Sequence, residues 1–185
     1  MECIVPADSK RALILDSAAQ IVEQSGAAHL TIDAVAAAAE VSKGGVLYHF
    51  PSKQALLEGM LERLINQMTE RTSAYREQHS ESGNSALIAR IVEEHQQQPV
   101  ERAMSRAILA AAAVNPQLLE PAQTVVKTAF DEAAAGSQLN EMGWVLQLAV
   151  EGLRFLEMLK LLPLSAAERG RIHTHLLKLA RDHSV

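Results

Sequence analysis

The stretch SKGGVLYHFPSK, residues 42 to 53, gathers hydroxyls (Ser42, Tyr48, Ser52), amines (Lys43, Lys53) and an imidazole (His49) around two adjacent glycines. These are hydrogen-bond donors and cations, suited to holding an anion or an edge of a base. Val46, Leu47 and Phe50 keep helical spacing, so Gly44 and Gly45 fall where that helix begins. Each costs about 1 kcal/mol relative to alanine inside a helix. In a chain rich in alanine, two glycines there need a reason.

Other chemistry has less behind it. His173 and His175 are neighbours at i, i+2 on a helical pattern and point apart, and the single cysteine, Cys3, offers no thiolate pair. The seven histidines read as solvated surface groups, and no metal is expected. G-x-S-x-G, GxxxxGK[ST] and H-E-x-x-H are all missing, so no catalytic residue, no cofactor and no enzyme activity are expected. One cysteine permits no disulfide within the chain, which suits a reducing compartment. The N-terminal MECIVPADSKR lacks the basic and apolar regions of a signal peptide. The longest apolar run, Ala107 to Val114, is eight residues, against about 20 for a membrane span. A cytoplasmic protein with no membrane partner is expected.

The elements that must position residues 42 to 53 are helical. Hydrophobic residues make up 48% and aromatics only 3%, with alanine and leucine dominant, which favours an all-α fold. Ala12, Leu15, Ala19 and Val22 mark a first helix, with Gly26 as its stop. Thr31 is a good N-cap for TIDAVAAAA, with Asp33 on the favourable side of the helix dipole. Glu40-Val41-Ser42 is a turn, and Ser42 caps the next helix. Residues 31 to 50 therefore read as helix, turn, helix. Phe50 and Leu47 read as core. Ser52 then caps a long helix in which Leu56, Met60, Leu64 and Met68 recur every four residues. Further helices are expected at 85–97, 100–114, 116–135, 138–162 and 165–183, punctuated by Pro99, Pro116 and Pro163. Two domains follow, 8–52 and 53–185, linked by helix 52–75.

Residues 31 to 57, TIDAVAAAAEVSKGGVLYHFPSKQALL, closely resemble the DNA-binding domain of the TetR family of bacterial transcriptional regulators. GLRFLEMLKLLPLSAAERGRI, residues 152 to 172, is similar, more loosely, to the last helices of one subgroup. The resemblance implies an N-terminal three-helix helix-turn-helix DNA-binding domain and a C-terminal helical domain for ligand binding and dimerisation. Helix 43–49 would be the recognition helix, with Gly44 and Gly45 letting the backbone approach DNA. Ser42, Lys43, Val46 and His49 are the candidates to touch bases. Thr31, Tyr48, His49 and Lys53 would hold phosphates. Gly45 departs from the family, which often has a base-touching side chain there. Glu40 departs too, since this turn usually holds glycine or asparagine with positive φ. Charge gives no support: the chain carries a net -5, and its first 55 residues hold four bases against six acids.

In the second half, helix 138–162 places Gln147, Glu151, Arg154 and Glu157 on one stripe, with apolar residues over an arc of about 240°. Trp144, Leu148 and Phe155 lie on one flank. Leu139, Leu146, Ala149 and Leu153 lie on the other. One flank needs a partner outside its own domain. Leu139, Leu146, Ala149 and Leu153, with Ile172, Leu176 and Leu179 of the last helix, are the expected dimer interface, forming a four-helix bundle across a two-fold axis. Leu64, Met104, Leu109, Phe130, Trp144, Leu148 and Phe155 are the expected lining of a pocket for a small apolar or amphipathic effector. Sequence reasoning thus arrives at a homodimeric, ligand-responsive repressor on a near-palindromic double-stranded DNA operator. The alternatives are a DNA-binding regulator with a filled core and no effector, or a helical protein that has lost sequence-specific binding.

Overall fold

The computed structural model describes residues 7–79, 84–137 and 140–183. Among them the chain forms helices α1 (Ala7–Ser25), α2 (Ile32–Ala38), α3 (Lys43–His49), α4 (Lys53–Gln78), α5 (Ser85–Gln96), α6 (Pro99–Ala112), α7 (Glu120–Ala135), α8 (Asn140–Met158) and α9 (Ala166–Asp182). The fold is all-α. None of the described helices is long and apolar enough to cross a membrane. Helix 116–135 of the sequence reading divides in two. Pro116 heads a short 3₁₀ turn, Pro116–Leu119, before α7 begins. Pro121 has no N–H with which to continue a hydrogen-bond ladder through that point.

The residues fall into two compact units. The first comprises residues 1–64 and 98–120, and so takes α6 as well as α1, α2, α3 and the start of α4. Its core is Ile14, Leu15, Ala18 and Val22 of α1, Val35 of α2, Val46 of α3, Phe50, and Leu56 and Met60 of α4. Met104 and Ile108 of α6 are buried in the same unit. Burying each such side chain contributes roughly 1.5–3 kcal/mol. Met104, expected to line a pocket, is thus a core residue of the first unit. Leu64 and Leu109, also in that unit, are half-buried.

The second unit comprises residues 65–97 and 121–185. Leu87, Ile88 and Ile91 of α5, Ala133 of α7, Leu146, Val150 and Leu153 of α8, and Leu176 and Ala180 of α9 make its core. Ala149, Ile172 and Leu179 pack against that cluster. The residues expected at a dimer interface are therefore occupied within their own unit, apart from Leu139, which lies outside the described residues. The expected pocket flank is the exposed one: Trp144, Leu148 and Phe155 face out, Leu148 at 59% exposure. Phe130 of α7 is half-buried. The seven pocket candidates come from both units. A helical wheel shows that α8 has two apolar flanks but carries no mark of which one its own unit takes.

The polar stripe of α8 goes inward. Gln147 is fully buried, and Arg154 donates to Glu93 at 2.8 Å, where the Glu93 side chain is 2% exposed. Arg71 of α4 donates to the other Glu93 oxygen at 2.8 Å. A carboxylate held between two guanidiniums meets the condition for burying charge, pairing with directed hydrogen bonds.

Candidate nucleic-acid interface

Three helix starts crowd residues 31 to 53. Thr31 has extended backbone, and its Oγ1 accepts from Ala34 N–H at 3.1 Å. Ser42 does the same for Gly45 N–H at 3.0 Å, and Ser52 for Ala55 N–H at 3.0 Å. Each hydroxyl is used as an acceptor, which leaves its own O–H to donate outward. Helix starts present N–H groups and positive potential, which suit phosphate oxygens.

The turn between α2 and α3 is closed by its own backbone. Val41 N–H donates to the Ala36 carbonyl at 3.0 Å and Glu40 N–H to the Ala37 carbonyl at 3.3 Å. This pair of bonds puts Glu40 in the left-handed region, at φ 53°. The sequence departure at Glu40 thus falls on the position that favours glycine.

Of the contact candidates, Thr31, Ser42, Lys43, Gly44, Tyr48 and Lys53 are exposed, and Gly45 and His49 are half-buried. Tyr48 stands out at 82% exposure, with the His49 ring edge-on to it at 5.0 Å between centroids. Val46 is a correction. Its side chain is 0% exposed and belongs to the core, so it cannot reach a base edge. Leu47 is the converse: it was expected in the core and is 37% exposed, next to Tyr48. On a seven-residue helix only one narrow stripe can face inward, and Val46 and Phe50, four apart, take it.

Neither glycine is demanded by the fold of the head. Both have negative φ, and a Cβ on Gly44 would lie 3.9 Å from Ser42 Oγ, an ordinary contact. On Gly45 the corresponding distance is 3.4 Å. Lys43 is engaged already: its Nζ lies 3.0 Å from Asp33 Oδ1 of α2. That pair offsets one of the head's acids, as Arg11–Glu62 at 2.6 Å and Arg63–Asp16 at 2.5 Å offset two more. These pairs leave the net charge of the first unit unchanged and commit Arg11 and Lys43, two of the four bases among the first 55 residues. Sequence reasoning missed the Asp33–Lys43 pair, ten residues apart, because it depends on the angle at which α2 and α3 meet.

The profile of the tetR family of bacterial regulatory proteins matches residues 14–60, and that of the tetracyclin repressor-like C-terminal domain matches residues 84–181. The chain belongs to the TetR family. Solved structures agree on the fold. A TetR-family member from Streptomyces coelicolor A3 superposes with a TM-score of 0.69 at 21% identity, covering 90% of this chain and 97% of its own. The multidrug binding protein EbrR, complexed with malachite green, gives 0.66 at 20%, covering 91% and 96%. NalD of Pseudomonas aeruginosa, the secondary repressor of the MexAB-OprM multidrug efflux pump, gives 0.65 at 17%, covering 97% and 98%. No protein of curated function matches the chain. The helix-turn-helix and its three capped helix starts thus sit where this TetR-family regulator carries its DNA-binding domain.

Proposed function

We propose that this TetR-family chain is a cytoplasmic, homodimeric repressor that binds a near-palindromic double-stranded DNA operator and is released from it by a small effector. The observation that carries the reading is the start of α3. It combines a capped helix N-terminus, an open Gly44 and exposed Tyr48 and Lys53 nearby in sequence. Glycines that the free head does not need fit a surface that a DNA backbone approaches closely. With Val46 in the core, Ser42, Lys43 and His49 remain for bases, and Thr31, Tyr48 and Lys53 for phosphates. So few base-reading groups favour an operator selected partly through DNA shape.

The exposed flank of α8, with Trp144, Val145, Leu148, Phe155 and Leu156, supports dimerisation. It is an apolar strip on a helix whose polar stripe faces inward. A second copy would cover it with the same surface, as a two-fold axis requires. Two heads would then occupy successive major grooves, with half-site centres about 34–36 Å or a multiple apart.

Fluorescence anisotropy on DNA from the gene's own upstream region, against scrambled DNA at physiological salt, tests the reading. A preference of roughly 10³ or more, with two chains per site, is expected. Equal weak binding there and no enriched sequence from a random-DNA selection would overturn it.

A further inference from the structure

We propose that the polar interior of the second unit, where Arg90 and Arg154 converge on Met68, is a subsite for the anionic group of a small organic effector. This deepens the effector reading above and rests on it. Three observations in the second unit support it. Arg90 Nη1 and Arg154 Nη1 both point at one sulfur, Met68 Sδ, at 3.7 and 3.5 Å. A thioether is a weak acceptor for even one guanidinium. Gln147 is fully buried, donates its Nε2–H to Glu151 Oε1 at 2.9 Å, and leaves Oε1 with no hydrogen-bond partner among the described residues. Arg154 Nε is likewise buried and unsatisfied.

Charge counts the same way. Arg71 and Arg154 share Glu93, and Glu151 stands 4.0 Å from Arg154. Glu132 is taken by Arg76 at 2.8 Å. Arg90 is the cation left over, with no carboxylate within ion-pair distance among the described residues. Burial, and then repulsion from Arg154, push its guanidinium below the ordinary value, against the weaker pull of Glu151, Glu132 and Glu93. An arginine does not lose its proton to escape such a site, so the cost stays until an anion arrives.

The chemistry selects the ligand. A carboxylate or related oxyanion in place of the sulfur contact would accept from both guanidiniums, the geometry at which arginine is strongest. A cleft of about 260 Å³ between α4 and α5, lined by Arg71, Tyr75, Gln78, Val92, Glu93 and Gln96, opens beside the Glu93 carboxylate. This replaces the apolar guest expected from the sequence with an anionic one. Unsatisfied buried groups recur where ligands bind, because a site optimised for the empty state has nothing left to offer a guest.

Thermal melts of the full-length protein test the subsite. The probes are small carboxylates, sulfonates and phosphate esters, each beside its neutral counterpart (2-hydroxybenzoate beside 2-hydroxybenzamide), and a matching set of amines. Acidic probes should raise Tm by mass action while their neutral counterparts do not. Arg90→Met should abolish the response, yet melt at the parent's Tm or about 2–4 °C above it, since a half-buried cation with no carboxylate in ion-pair contact is removed. Equal shifts from neutral or amine probes, or an acidic response that survives Arg90→Met, overturn the anion subsite and leave the effector reading standing. Arg90→Met melting below the parent makes Arg90 a structural ion and sinks the subsite with no ligand involved. No shift from any probe overturns the subsite and the effector reading together.

Discussion

In the proposed DNA complex, Gly44 would set stability against DNA affinity at a single atom. Its Cβ would meet only Ser42 Oγ, at 3.9 Å, so Gly44→Ala should raise the stability of the free protein by up to about 1 kcal/mol. The same methyl would stand between the backbone and DNA, so operator affinity should fall at least tenfold in anisotropy titrations. Unchanged affinity would remove the close-approach argument. Glu40 is the strained partner in this motif. Its φ of 53° costs roughly 1–2 kcal/mol for a residue with a Cβ, so Glu40→Gly should raise the urea midpoint without a change in m. Asp33 restrains Lys43 at 3.0 Å. Asp33→Asn frees that amine and removes a negative charge from the head. Operator affinity should rise several-fold, and the slope of log K on log salt should steepen by about one.

Among the elements, α8 was the least legible from sequence and teaches most. Gln147, Arg154 and Glu157 read as a stripe separating two apolar flanks, but they point into the second unit. Glu93 of α5 and Arg71 of α4 make that orientation tolerable, and no local pattern brings them together with residue 154. α8 also needs Gly143, because a Cβ there would collide with the Ala133 carbonyl of α7. Backbone cannot yield as a side chain can, so Gly143→Ala should cost about 1–3 kcal/mol in urea melts. The join between α5 and α9 is sensitive to pH instead. The His95 and His173 rings stack at 4.1 Å, and His173 Nε2 lies 3.1 Å from the Ile91 carbonyl oxygen. Burial, and then the neighbouring His95, hold His173 below its ordinary value near 6.5, with Arg169 acting in the same direction. The unfolded chain therefore takes up a proton before the folded one does. Stability is full above pH 6.5 and falls as the pH drops from there toward the lowered folded value. His173→Leu should flatten that part of the stability–pH curve, and an unaltered curve would show that the pair does not titrate in this range.

Over the whole molecule, legibility followed sequence separation. The helix-turn-helix could be read because Thr31, Ser42 and Ser52 each cap an N–H only three residues on. That α6 joins the first unit, and that Leu146 and Leu153 are enclosed by α5 and α9, depends on contacts across long stretches of chain and left no local trace. Those long-range contacts also decide which surface is free for assembly. A chain of net charge -5 gains little nonspecific attraction to DNA, and in the proposed dimer two heads engaging together would supply the affinity. Joining two binding units can raise affinity by 10²–10⁴ without any new contact to DNA. Leu148→Glu places a carboxylate on the exposed α8 flank, where Leu148 is 59% exposed, so the fold should persist by circular dichroism. Sedimentation should show a monomer, and operator affinity should fall by about 10²-fold or more. Leu153→Glu is the contrast. It lies in the core of the second unit and should unfold that unit rather than separate two folded copies. A Leu148→Glu protein that stays dimeric would return the interface to another face of the molecule, with the exposed flank of α8 left to a different partner.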